Sequence, residues 1–141
     1  MFKRLTGTPK IEWYTAATSQ LFSNGALCYA NGSGAIIPAD STSGDHIGII
    51  QRAIVAADDV YTTAGKVPVD VPNDEDEFEV DVGTGTATAA MIGNRYDLAS
   101  SLTVDVSAQL KNVVTITRFI SASKVVVKIN AMISNLRVAT T

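Results

Sequence analysis

Glu77-Phe78-Glu79-Val80-Asp81-Val82 alternates strictly between an acid and an apolar side chain, and the reading of this stretch decides the fold. Successive side chains of an extended chain point to opposite faces, so Phe78, Val80 and Val82 share one face and Glu77, Glu79 and Asp81 the other. The same period of two returns in Leu102, Val104 and Val106 against Thr103, Asp105 and Ser107. It returns again in Val125, Val127 and Ile129 against Val126, Lys128 and Asn130. Half-buried antiparallel strands are written this way. The expected fold is all-β, a small antiparallel barrel or sandwich with little helix.

Outward from that stretch, further strands are expected at Ala26–Ala30, Ala35–Ile37, His46–Ile54, Val67–Val71, Ala87–Ile92 and Val113–Ile120. Turn signals separate them, among them Asn31-Gly32-Ser33-Gly34, Pro72-Asn73-Asp74 and Gly93-Asn94. Ser121-Ala122-Ser123 joins the last two strands as a hairpin. Helical signal is confined to a turn or two in Ala53–Val60 and Ala108–Asn112. The tail from Asn130 carries Ile133, Leu136 and Val138, which either close the sheet or grip a neighbouring subunit, and these three are the candidate oligomer interface.

Residues 1–24 differ from the rest and read as an extended N-terminal arm ahead of a β-barrel domain over 25–141. Lys3, Arg4 and Lys10 are basic, Gly7 and Pro9 interrupt regular structure, and Phe2, Ile11, Trp13 and Tyr14 supply apolar area. Such a segment buries too little surface to order alone, which makes its three bases and these four apolar residues the candidate partner-binding set. Trp13, the only tryptophan, either staples the arm to its own barrel or anchors it in another subunit.

Charged residues make up 18% of the 141 residues and the net charge is −3, which leaves a largely neutral surface and gives no electrostatic case for nucleic acid. Eleven of the fourteen acids lie between Asp40 and Asp81, whereas Lys111, Arg118, Lys124, Lys128 and Arg137 follow the last acid, Asp105. That polarity suits either association through opposite charges or merely solvated faces. Cys28, the only cysteine, has no partner for an intrachain disulfide and sits in an apolar run as a small hydrophobe. No apolar segment follows Met1-Phe2-Lys3-Arg4 as in a secretory signal, and no run approaches membrane-spanning length. Synthesis in a cytoplasm and no membrane partner are expected.

No constellation of catalytic side chains stands out, and neither a cofactor nor a metal is expected. The single histidine, His46, begins a strand, where a structural role outweighs a catalytic one. Asn73-Asp74-Glu75-Asp76-Glu77 lacks the spacing and glycine of a calcium loop and reads as an exposed acidic loop. Gly83-Thr84-Gly85-Thr86 lacks the lysine and the helix of a phosphate loop. Asn94-Arg95-Tyr96-Asp97-Leu98 is similar to a nucleotide-site segment of trimeric dUTP pyrophosphatases, but Arg95 replaces its glycine and the companion motifs are missing. Such an enzyme is a remote alternative.

Taken together, Gly83–Thr88, Ile92–Leu98, the Leu102–Val106 strand and the terminal hairpin through Asn130 resemble the β-tulip-like barrel of bacteriophage capsid decoration, or cement, proteins. The resemblance implies a non-enzymatic protein on the outer surface of an icosahedral head. It implies homotrimers at three-fold and quasi-three-fold positions that bridge major capsid protein subunits and stabilise the shell. A tail, neck or host-binding β module is the alternative.

Overall fold

The computed structural model describes residues 1–41, 46–63 and 65–130. Eleven strands run through them: β1 (Lys3–Arg4), β2 (Ile11–Ala16), β3 (Leu27–Ala30), β4 (Ile36–Pro38), β5 (His46–Ile50), β6 (Gly65–Asp70), β7 (Glu77–Thr84), β8 (Arg95–Leu98), β9 (Thr103–Asp105), β10 (Val114–Ser121) and β11 (Lys124–Ile129). One short helix, α1 (Asp59–Thr62), and a 3-10 turn at Ala89–Met91 complete them. The chain is all-β, as its alternation predicts. It closes not one small barrel but two.

The alternating stretch that opened the sequence is β7, the keystone of the second barrel. Its Glu77–Asp81 segment pairs antiparallel with β11, which pairs in turn with β10. β10 continues to β8 and β8 to β9, and β9 returns parallel to β7 at Asp81–Thr84. β1 occupies the rest of that β7 edge, with Lys3 opposite Glu79 and Arg4 opposite Phe78. Phe78, Val80, Leu98, Val104, Ile116, Val125 and Val127 fill the interior. The opposite face is charged: Lys124 approaches Glu79 and Asp81 at 3.6 and 3.7 Å, and Arg118 approaches Glu77 at 3.6 Å. These central acids and late bases meet within one sheet. Val126, in register between Glu79 and Arg118, is buried as well.

The first barrel follows the order β2-β4-β3-β5-β6, with β6 pairing back onto β2. Ala16, Phe22, Cys28, Ile36, Ile50, Val67 and Val69 form its core. A bulge opposite the Cys28–Tyr29 step admits one extra residue in β5, so Ile47 and Ile50 face this core while Ile49 faces away. Ile49, Leu27 and Ala39 belong instead to the core of the second barrel. β3 and β5 are therefore buried on both faces, and all five residues of β5 are buried. This is why His46–Ile50 reads as a continuous apolar run rather than an alternation.

The extended arm expected at residues 1–24 is built into both barrels. Phe2 is 2% exposed in the second core, and its amide donates to Gly25 O at 2.9 Å. Ile11–Ala16 pairs residue by residue with β6 from Asp70 to Gly65. The Ala87–Ile92 strand is a 3-10 turn instead, Arg95–Leu98 is an unexpected strand, and Ala108–Asn112 is irregular. The helical turn lies at Asp59–Thr62, the end of the stretch read as helical. Ile133, Leu136 and Val138 lie outside the described residues.

Because Leu27 and Ile49 come from the first barrel and pack in the second, the two barrels should unfold together. Ile49→Ala should destabilise the protein by about 2–5 kcal/mol. Urea denaturation followed by far-UV circular dichroism and by Trp13 emission should give one coincident transition in the wild type. Two separated transitions would show independent barrels.

Candidate interaction surface

The N-terminal residues gathered by the sequence reading divide into two groups with opposite fates. Arg4 lies at the junction of the barrels. Its Nε and Nη2 donate to the two oxygens of Asp70 at 2.9 and 2.7 Å, a bidentate pair. Nη1 reaches Asp76 Oδ2 at 2.7 Å and donates to Thr6 O at 2.9 Å, while the guanidinium lies 5.0 Å from the Phe78 ring centre. Burial works against the Arg4 charge, but the hydrogen bonds and charges of Asp70 and Asp76 outweigh it and raise the guanidinium pKa.

Local sequence shapes this junction. Asp70 ends β6 and also accepts from Lys10 N at 3.3 Å. Asp76 closes the link between the barrels by accepting from Asn73 N at 2.9 Å. Gly7, at φ +82°, passes over Asp76 where a Cβ would collide with the carboxylate. Of the acidic loop, Asp74 and Glu75 are exposed as expected, whereas Asp76 is buried. Phe2 and Arg4 hold the two barrels together, which removes both from the partner-binding set.

The second group faces outward. β2 carries Glu12, Tyr14 and Ala16 on one face and Ile11, Trp13 and Thr15 on the other. Tyr14 packs on the first core, and its hydroxyl donates to Glu12 Oε2 at 2.8 Å. Ile11 and Trp13 are 45% and 61% exposed, with Trp13 in register beside Pro68. Trp13 does not staple an arm to its own barrel. It stands as a large apolar side chain on the outer face of a fixed strand.

Of the other two bases, Lys10 is engaged near home and Lys3 is exposed. Lys10 Nζ lies 3.4 Å from Glu12 Oε1, and Lys3 faces Glu79 in register. Beyond Trp13, the join between β2 and β4 is a single register pair, Ala16 with Ile36. Toward the N-terminal half of β2 the join opens into an apolar notch of about 410 Å³, lined by Tyr14, Ala30, Gly32, Gly34, Ala35, Ile36 and Ile47. Sequence reasoning missed the notch because it treated β2 as an arm.

The groups that could have carried chemistry are placed structurally. The buried Asp97 carboxylate accepts the amides of Leu110, Lys111 and Asn112 at 3.0, 2.6 and 2.7 Å, which fixes the irregular loop ahead of β10. His46 is buried at the start of β5. Cys28 is buried, and its thiol donates to Gly48 O at 3.4 Å. Among the described residues, no three of His, Cys, Asp and Glu gather into a cation-binding group. No helix among them is long and apolar enough to cross a membrane. Compared with known protein families and with curated proteins, the chain matches none.

Arg4→Met should leave Asp70 and Asp76 buried without their counter-charge and cost about 3–5 kcal/mol in urea denaturation. Arg4→Lys should recover only part of this, because an ammonium cannot reproduce the bidentate fork.

Burial pushes the Cys28 thiol up to about 12 from an ordinary value of 9.0, with the Gly48 hydrogen bond opposing. The folded state therefore keeps a proton that the unfolded chain releases above pH 9. The stability this provides is complete below pH 9 and is lost as pH rises toward 12, by up to ~1.4 kcal/mol per unit. Relative to the wild type, Cys28→Ala should show a shallower alkaline loss of stability. In the folded wild type, Cys28 should resist thiol reagents at pH 8.

Proposed function

We propose that this protein is a structural component of a virus particle: a decoration protein on the outer surface of a bacteriophage head. It acts as a homotrimer that bridges major capsid protein subunits at three-fold and quasi-three-fold positions. One observation carries the reading: Trp13, 61% exposed beside Ile11 on the outer face of a strand that is paired throughout with β6. An exposed aromatic on a rigid element is the form of an interface anchor, since little conformational entropy is lost on docking. The two small barrels, joined where Leu27 and Ile49 of the first enter the core of the second, fit a static mechanical role, as does the structural use of Asp97 and Cys28. The resemblance of Val80–Asn130 to cement proteins supplies the particle. Attachment rests on apolar contact, because Arg4, Lys10 and Lys124 already pair within the chain.

Trp13→Ala should weaken binding to purified heads about 30-fold or more, the loss of an anchor contributing about 2 kcal/mol. Lys3→Ala should change it by less than about threefold, as expected for an exposed charge. Density at the three-fold positions and hundreds of copies per particle support the proposal. About a dozen copies or fewer would assign the protein to the tail or neck.

A further inference from the structure

We propose that Asn31 is a site of self-modification: the backbone nitrogen of Gly32 attacks the Asn31 side-chain carbonyl, and the residue passes through a succinimide to aspartate or isoaspartate. This inference is independent of what the protein decorates. Two asparagines of the chain precede a glycine, Asn24 and Asn31. A following glycine favours the ring closure because no Cβ crowds the attacking nitrogen. The fold treats the two pairs differently.

Gly25 is buried, and its amide donates to Ile50 O at 2.8 Å. Met1 packs so close that a Cβ on Gly25 would stand 2.7 Å from the Met1 Cβ. To attack Asn24, the Gly25 nitrogen would have to abandon a buried hydrogen bond and turn within packed surroundings. Asn24 is held inert.

Asn31 and Gly32 are both exposed, in the turn between β3 and β4. Gly32 has φ +82°, a Cβ placed on it would meet nothing within 4 Å, and its amide meets no acceptor among the described residues. The nucleophile is free and has room. The electrophile is held from the other side: Asn31 Oδ1 accepts from Ser33 N at 2.8 Å and from Ala35 N at 3.2 Å. These bonds keep the side chain folded back over the backbone that follows it. When the Gly32 nitrogen adds to Cγ, the same oxygen takes up the negative charge of the tetrahedral intermediate. Two backbone donors already aimed at that oxygen form an oxyanion hole.

Water and hydroxide are the only co-reactants. Hydroxide removes the Gly32 amide proton as the N–Cγ bond forms; the Cγ–Nδ2 bond then breaks, and Nδ2 takes a proton from water and leaves as ammonia. A second water opens the succinimide at either carbonyl, giving aspartate or isoaspartate. Both products place a carboxylate at the rim of the apolar notch, which Gly32 and Gly34 line. Isoaspartate also adds one carbon to the backbone of the turn that leads to Ile36, the residue by which β4 meets β2.

The test compares the full-length protein, native and unfolded in guanidinium chloride, during incubation at mildly alkaline pH. Its peptides are quantified by mass spectrometry with fragmentation that separates aspartate from isoaspartate. Native Asn31 should give both products about tenfold or more faster than native Asn24, and no slower than Asn31 of the unfolded chain, since the oxyanion gains two donors on folding. Conversion of Asn31 that is slower in the native protein than in the unfolded chain would overturn the proposal, because the turn would then protect the amide. So would equal rates at native Asn24 and Asn31. So would aspartate without isoaspartate at position 31, which marks direct hydrolysis rather than attack by Gly32.

Discussion

The guanidinium of Arg4 is the contact on which the arrangement of the two barrels depends. It joins β1, which belongs to the second barrel, to Asp70 at the end of the first barrel and to Asp76 at the end of the link between them. Two buried carboxylates would be unfavourable near each other without a cation, and a cation there would be equally unfavourable without them. The three groups are compatible with burial only together. That condition fixes the relation of β1, the end of β6 and the start of β7, and hence the angle at which the chain leaves one barrel for the other.

Hydrophobic packing makes the junction continuous. Leu27 and Ile49 leave strands of the first barrel to enter the second core, where Phe2 joins them. Backbone bonds reinforce the same seam: Leu27 N donates to Ser101 O, and Phe2 N to Gly25 O. The bulge in β5 is essential to this, because without the extra residue Ile47 and Ile49 would share a face and one core would lose a side chain. The two barrels are therefore joined by shared side chains and backbone bonds although each sheet closes on itself.

Strands with one wet face were legible from sequence. β7, β9 and β11 follow from the alternation at Phe78–Val82, Leu102–Val106 and Val125–Ile129. β3 and β5, buried on both faces, were legible instead as apolar runs between turn signals, but two strands that follow neither pattern were not. β2 was hidden because its most apolar residues, Ile11 and Trp13, occupy the exposed face while Glu12 and Tyr14 lie on the other. β8 was hidden because Asp97 is buried to hold a loop, a role that spacing alone does not reveal. Closure into two barrels was invisible because it rests on long-range pairings such as β2 with β6 and β9 with β7. Of the candidate surface, Trp13 was identified by residue type alone; its strand, its exposed face and the adjacent notch required the fold.

The difference between an arm and a strand changes the physics of any contact Trp13 makes. A disordered arm would lose backbone entropy for every residue that orders on a partner, and its free basic residues would make attachment depend on salt. Here the ordering is completed in folding: Ile11 is opposite Asp70, and Asp70 is gripped by Arg4. The junction between the barrels thereby also positions the exposed stripe, since displacing Arg4 would release the end of β6 against which Ile11 and Trp13 are registered. With Lys10 drawn to Glu12 and Arg4 buried, Lys3 is the one base of this segment left without an ion pair for a partner among the described residues. What the surface offers is a preorganised aromatic and aliphatic pair, and affinity gained that way comes from entropy not lost on binding rather than from additional contacts.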